Sequence, residues 1–126
     1  MTPPDPRRVP IEAIREAARR AVSELSLRAV ARAIPMSPMG LQHFINGTSP
    51  YRSTLRKLTA WYVNRGASRG EFSEDTVLAA LAILLDGLPD EQQPTARAEL
   101  LDRIAALYEG AGTEVPAWLK RLRRDD

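Results

Sequence analysis

The stretch Ser26 to Arg65, SLRAVARAIPMSPMGLQHFINGTSPYRSTLRKLTAWYVNR, decides the fold of this chain. Leu27, Val30, Ala31 and Ile34 recur at three- and four-residue steps, and Leu41, Phe44 and Ile45 repeat the pattern after a break. Two short amphipathic helices are therefore expected, separated by about one turn's worth of chain. The break itself, Ile34-Pro35-Met36-Ser37-Pro38, is chemically specific. A residue before proline is pushed out of the right-handed helical region, so the first helix should stop near Ala33. Ser37, held extended by Pro38, suits an N-cap, and Pro38 suits the first helical position, where a missing N–H costs nothing. That second helix should run to Asn46-Gly47, where glycine can take the left-handed geometry that ends helices. Beyond a loop from Thr48 to Arg52, Ser53 or Thr54 is expected to cap a further helix that carries Leu55, Leu58 and Tyr62 on one face.

These residues carry a resemblance. Ala31 beside Val30, the apolar Ile34 and Met36 around the turn, Leu41 and Phe44 in the following helix, the Asn46-Gly47 exit and the LRKL run from Leu55 to Leu58 are similar to the lambda-repressor-like (Cro/C1, or XRE) helix-turn-helix family of bacterial and phage regulators. The likeness spans roughly residues 10 to 66. One residue departs from it, because the family usually has glycine at the turn position held here by Pro35, and proline cannot adopt the positive φ that glycine supplies. The turn is therefore expected to be built differently.

The resemblance implies double-stranded DNA as the partner, with the helix at 38–46 in the major groove. Carried over by position, Ser37, Met39, Gly40, Gln42 and His43 face the bases. Gln42 is the best suited of them, since a carboxamide donates and accepts at once and so matches the N6/N7 pair of adenine. His43 could donate to a guanine acceptor or a phosphate, and Met39 could lie against a thymine methyl. Gly40 inside a helix costs about 1 kcal/mol relative to alanine, which suggests close approach to DNA or to another helix. Phosphate contacts are implied for Ser26 and Arg28 at the start of the first helix of the pair. The others are Asn46 and Thr48 at the exit, and Tyr51, Arg52, Arg56 and Lys57 beyond it. On helix one, Arg15, Arg19 and Arg20 are expected on a solvated face, and Tyr51 and Trp61 are expected as core or staple residues before base-stacking ones.

Charge is segregated along the chain. The formal net charge is +2, yet residues 1 to 70 hold 12 Arg/Lys against 4 Asp/Glu, while residues 71 to 126 hold 6 against 12. A basic half that contains the expected reader helices is the footprint of a phosphate-binding surface, although arginine outnumbers lysine 16 to 2 and genomic base composition alone could favour it. The chain has no cysteine, which removes disulfides, thiolate chemistry and cysteine-ligated zinc together. His43, as the one histidine, lacks partners for a metal site or a catalytic triad, so no cofactor, metal or enzymatic activity is expected. No apolar run approaches the roughly 20 residues that span a bilayer, and the N-terminus lacks a secretory core, so a cytoplasmic protein without membrane contact is expected.

The whole chain reads as all-α, with a disordered leader at 1–9, a helix-turn-helix domain at 10–66 and a helical dimerisation region at 71–124. Helix one should run Ile11 to Leu25, with Ile11, Ile14, Ala18, Val22 and Leu25 inward, and Ser26 should cap the next. Gly66 to Gly70 reads as a hinge. Ser73 is expected to cap a helix whose interior from Val77 to Leu85 is apolar all round, which a chain this small cannot easily bury alone. It calls for a second copy. A helix at about Pro94 to Glu109 closing at Gly110 and Gly112, and a last one from Pro116 to Arg124, complete the assembly region. Val77, Leu78, Leu81, Leu84, Leu85, Leu101, Ile104, Tyr108, Trp118 and Leu122 are the expected interface. The expected function is a dimeric repressor that binds an inverted-repeat operator. Two other readings stand beside it: an antitoxin that autorepresses its operon and neutralises a basic toxin through its C-terminal region, and a protein-interaction adaptor without specific DNA binding.

Overall fold

The computed structural model describes residues Arg8–Gly70 and Ser73–Arg124, and among these every regular element is helical. Seven α-helices follow one another: α1 (Ile11–Glu24), α2 (Leu27–Ala33), α3 (Pro38–Ile45), α4 (Arg52–Ser68), α5 (Glu74–Leu85), α6 (Gln93–Gly110) and α7 (Ala117–Arg124), with a 3-10 turn at Asp90–Gln92 before α6. The chain divides into two compact units, Val9–Ile83 and a second that contains Leu84–Asp126. The expected leader lies largely outside the described residues.

In the first unit, α1 packs on α2, α3 and α4, and α2 packs on α3. The core is Ile14, Ala18 and Ala21 from α1, Val30 and Ala31 from α2, Ile34 from the turn, Leu41, Phe44 and Ile45 from α3, and Leu58 from α4. Trp61 and Tyr62 lean on it from the edge. Small residues on α1 let the short α2–α3 pair sit close, and Phe44 fills the space between them. The capping chemistry follows the side chains. Ser26 Oγ accepts from the Ala29 N–H at 3.0 Å, Ser37 Oγ from the Gly40 N–H at 3.0 Å, and Ser73 Oγ from the Thr76 N–H at 3.2 Å.

Four expectations need correction. Leu25 is not inward: α1 stops at Glu24, and Leu25, at the C-cap, is 62% exposed. α4 begins at Arg52 with Tyr51 as its N-cap and no side-chain cap, so neither Ser53 nor Thr54 starts it. The Gly66–Gly70 segment is no hinge, because α4 runs unbroken to Ser68 with Gly66 buried. It is fastened to α1 by Glu24, whose carboxylate takes Arg65 at 2.9 Å and Arg69 at 3.4 Å. Finally, α5 is covered more fully than its all-round apolarity suggested, with Ala79, Leu81 and Ala82 buried in the single chain and Ile83 and Leu84 left outside.

The turn between α2 and α3 shows how proline replaces glycine. Ile34 is the C-cap and Pro35 follows at φ +21°, on the positive side despite the ring. The Met36 N–H reaches the Ala31 carbonyl at 2.9 Å, the longer of the two bonds that close a Schellman turn. The shorter bond would need an N–H on residue 35, which proline lacks. So the expectation that proline is barred from a positive φ and forces a different turn is wrong: the chain keeps the glycine-type route with one hydrogen bond fewer. Lys57 Nζ supports it from α4, donating to the Pro35 carbonyl at 3.1 Å. α3, by contrast, ends in a complete motif: Gly47 stands at φ +112°, its N–H reaches Phe44 O at 3.1 Å, and the Thr48 N–H reaches His43 O at 2.9 Å.

The second unit is built on α6. Gln93, Arg97, Leu101 and Ala105, at four-residue steps, form its buried face, and α7, in contact with α6, buries Leu119 and Leu122. Arg123 Nε donates to Asp102 Oδ1 at 2.9 Å and pins α7 along α6.

Pro35→Gly is expected to raise stability by about 1 kcal/mol, because a fitting φ and a restored N–H bond outweigh the extra freedom of the unfolded chain. Urea unfolding measures this, and a lower midpoint would show that the ring sits there without strain.

Candidate nucleic-acid interface

α3 has one buried face and one open face. Leu41, Phe44 and Ile45 are inside, while Met39, Gln42, His43 and Asn46 are exposed and Gly40 is partly covered. Helical spacing sets this division, since 41, 44 and 45 share a stripe that 39, 42, 43 and 46 avoid. Met39 is 70% exposed, an unusual position for a large apolar side chain on a short helix. No residue of α3 is Asp, Glu, Lys or Arg. Its outer strip is a row of hydrogen-bonding groups with one thioether.

Cations border the strip. A recess beside the start of α3 is lined by Arg28 and Arg32 from α2 with Met36 and Pro38. A second groove of about 340 Å³ runs along Ser37, Gly40 and His43 of α3 to Tyr51, Thr54 and Lys57. Arg52 and Arg56 are exposed on the first turns of α4. From Leu25 to Gly70 the sequence contains no acidic residue, against seven Arg and Lys. The half-chain totals diluted this signal, which a narrower window would have found.

What fixes α3 in place is a pair of arginines from α1. Arg15 is 7% exposed; its Nε donates to Phe44 O at 2.7 Å, its second terminal nitrogen to Thr48 O at 3.4 Å, and its first to the Glu12 carboxylate. The guanidinium also lies 4.9 Å from the centre of the Phe44 ring. Arg19, paired with Glu16, donates to Ile45 O at 3.1 Å. Both cations sit on carbonyls that a helix C-terminus leaves without intrahelical partners, where the helix dipole favours positive charge. The expectation of a solvated face holds for Arg20, which is exposed and pairs with Glu16 at 3.5 Å. For Arg15 it is wrong, and for Arg19 it is half wrong. The missed signal was position, since Arg15 lies four residues after Ile11 and three before Ala18, inside the inward stripe of α1.

Other expected site residues fall as follows. Tyr51, expected as core or staple, is 86% exposed, because the extended backbone of the α4 N-cap turns it outward. Trp61 is partly buried against the core, with Arg65 over its ring at 5.8 Å. Ser26, Arg28, Thr48, Arg52, Arg56 and Lys57 are all exposed, with Lys57 partly engaged by the Pro35 carbonyl. Gly40 has an internal reason for its missing side chain: an added Cβ would come within 2.9 Å of Ser37 Oγ, the cap of its own helix. Of the expected interface residues, Leu81, Leu101 and Leu122 are buried within this chain and Val77, Leu78, Leu85, Ile104, Tyr108 and Trp118 are half-buried, which leaves Leu84 as the exposed one.

No family model, curated protein or solved structure matches the chain. The physical arrangement alone therefore carries the functional reading. Among the described residues no group of His, Cys, Asp and Glu is placed to hold a metal, and no helix is long and apolar enough to cross a membrane.

Arg15→Met should lower stability by about 2 to 3 kcal/mol, since hydrogen bonds to a charged donor contribute about 1.5–3 kcal/mol and the Phe44 and Thr48 carbonyls lose theirs. Arg19→Met, more exposed, should cost under 1 kcal/mol. Equal losses in chemical denaturation would contradict the ranking.

Proposed function

We propose that this protein is a sequence-specific, duplex-DNA-binding transcriptional regulator of the lambda-repressor-like helix-turn-helix type, acting as a homodimeric repressor. The observation that carries the reading is the outer strip of α3, rich in hydrogen-bonding groups and without Asp, Glu, Lys or Arg, within a segment from Leu25 to Gly70 that holds seven Arg and Lys and no acidic residue. A phosphate polymer attracts the cations whatever its sequence, and base edges in the major groove offer the donors and acceptors that Gln42 and His43 can match. Met39, exposed and apolar, suits a thymine methyl. In this reading Arg28, Arg52 and Arg56 hold the backbone and set the register of α3.

Dimerisation has a geometric motive. Eight helical residues extend about 12 Å, enough for only a few base pairs. Two half-sites one DNA turn apart multiply the discrimination. Leu84 and Leu107, large apolar side chains left well exposed on the single chain, support assembly with a second copy. Promoter occlusion then gives repression. The reading makes the protein a binder that needs no cofactor and performs no catalysis, in a cytoplasmic setting.

Selection of bound sequences from a random duplex pool tests it. An enriched inverted repeat, bound about 10³-fold or more above scrambled DNA, is the expected result; absence of enrichment with weak, wholly salt-sensitive binding would remove sequence reading from the protein. On the selected duplex, Gln42→Ala should relax base preference with little change in salt dependence. Arg28→Ala or Arg52→Ala should weaken all duplexes alike and flatten the salt slope by about one unit each. Identical behaviour of the two classes would show that base and phosphate contacts have been wrongly sorted.

A further inference from the structure

Gln42 and Asn46 stand one helical turn apart on the open face of α3, and Gln42 Nε2 donates to Asn46 Oδ1 at 3.2 Å. Asn46 is a firm support for that bond. It is the C-cap of α3, with its own N–H on Gln42 O at 3.0 Å, and the turn behind it is closed by Gly47 and Thr48. The two carbonyls just before it, on Phe44 and Ile45, are held by Arg15 and Arg19. A chain of contacts thus runs from the buried guanidinium of α1 to an amide on the outer strip.

The bond favours one orientation of the glutamine amide. With one Nε2 hydrogen on Asn46, Gln42 keeps Oε1 as an acceptor and its second Nε2 hydrogen as a donor. That is the complement of adenine, whose N6 donates and N7 accepts in the major groove. Because Asn46 Oδ1 is the acceptor in the pair, the Nδ2 hydrogens of Asn46 are not used in it and stay available as donors. Four residues of helix advance about 6 Å, close to two base-pair rises. Guanine O6 or N7 and thymine O4 are the acceptors those hydrogens would meet.

We propose that Gln42 and Asn46 form one reading unit, in which Asn46 positions the Gln42 carboxamide for adenine and itself reads an acceptor-bearing base, guanine or thymine, within two base pairs. This rests on the DNA-binding reading above and changes the role of Asn46, which the family resemblance had set on a phosphate. Fixing the amide before encounter spares the rotamer entropy that a free glutamine loses on binding. The pair therefore gives discrimination rather than general affinity.

The test uses the full chain and compares wild type with Asn46→Ala, Asn46→Asp, Gln42→Ala and the Asn46→Ala/Gln42→Ala double variant. Each is titrated against the selected duplex and every single base-pair substitution in it. Asn46 has φ −81° and ψ 0°, which alanine adopts without strain, and circular dichroism with a thermal midpoint confirms that each variant is folded. Asn46→Ala should reduce discrimination at the Gln42 base pair by roughly 5- to 100-fold, and the double variant should lose no more there than Gln42→Ala alone. Asn46→Asp keeps the acceptor but removes the donors, so it should retain adenine preference and lose preference at the neighbouring pair. Uniform weakening by Asn46→Ala, with the preference profile intact and the salt slope reduced, would make Asn46 a phosphate contact and overturn the proposal. So would additive losses at two separate base pairs. A wild-type protein that enriches no sequence overturns the parent reading as well, and that outcome is visible before any variant is made.

Discussion

The first unit depends on Arg15. A buried guanidinium at the edge of a small helical core costs desolvation energy unless it finds acceptors in the right places. Here the acceptors are the Phe44 and Thr48 carbonyls and the Glu12 carboxylate, with the Phe44 ring below. These carbonyls exist in that arrangement only because α3 ends at Asn46 and the chain turns back through Gly47. The interaction therefore couples three features: the length of α3, the glycine turn after it, and the face that α1 turns inward. Arg19 repeats it one helical turn further along α1, nearer to solvent.

Such a clamp has a consequence for the outer strip of α3. A helix of eight residues has little stability of its own, since nucleation is costly and most of its hydrogen bonds are terminal. Its orientation must be set by what holds it. At the N-terminus Ser37 and Pro38 supply the cap, and Lys57 ties the preceding turn to α4. At the C-terminus the two arginines neutralise the dipole and fix the last carbonyls. Leu41, Phe44 and Ile45 then fix the rotation about the helix axis. With both ends and the rotation set, the side chains at 39, 42, 43 and 46 stand in constant relative positions, which is what any surface that discriminates between hydrogen-bonding patterns requires.

The cations of the same unit divide into two physical groups. Arg15, Arg19, Arg65 and Lys57 are spent within the fold, on carbonyls or carboxylates, and contribute to shape. Arg28, Arg32, Arg52 and Arg56 stand at the surface around α3 and contribute to the field. Counting charge along the sequence adds the two groups together. Between Leu25 and Gly70 the sequence holds no Asp or Glu, so the formal charge of this segment is wholly positive.

The sequence by itself determined the helical class, the two short helices around Pro35, the caps at Ser26, Ser37 and Ser73, and the glycine exit at Gly47. All of these are local, governed by dihedral preference and by hydrogen bonds within four residues, so they are written where they act. The family resemblance set Met39, Gln42 and His43 together on the open side of α3 and Asn46 at its exit. Only the tertiary structure decided that Arg15 is buried. A long side chain at the edge of an apolar stripe can turn either way, and the carbonyls that draw it in come from residues 29 and 33 positions later in the chain. The same holds for the continuous α4, because Gly66 weakens a helix in isolation, whereas burial and the Glu24 pairs keep it intact here. It holds too for Leu101 and Leu122, which apolar pattern alone assigned to a partner and which α6 and α7 bury in one chain. Periodicity says that a face is covered; what covers it depends on contacts between segments far apart in sequence.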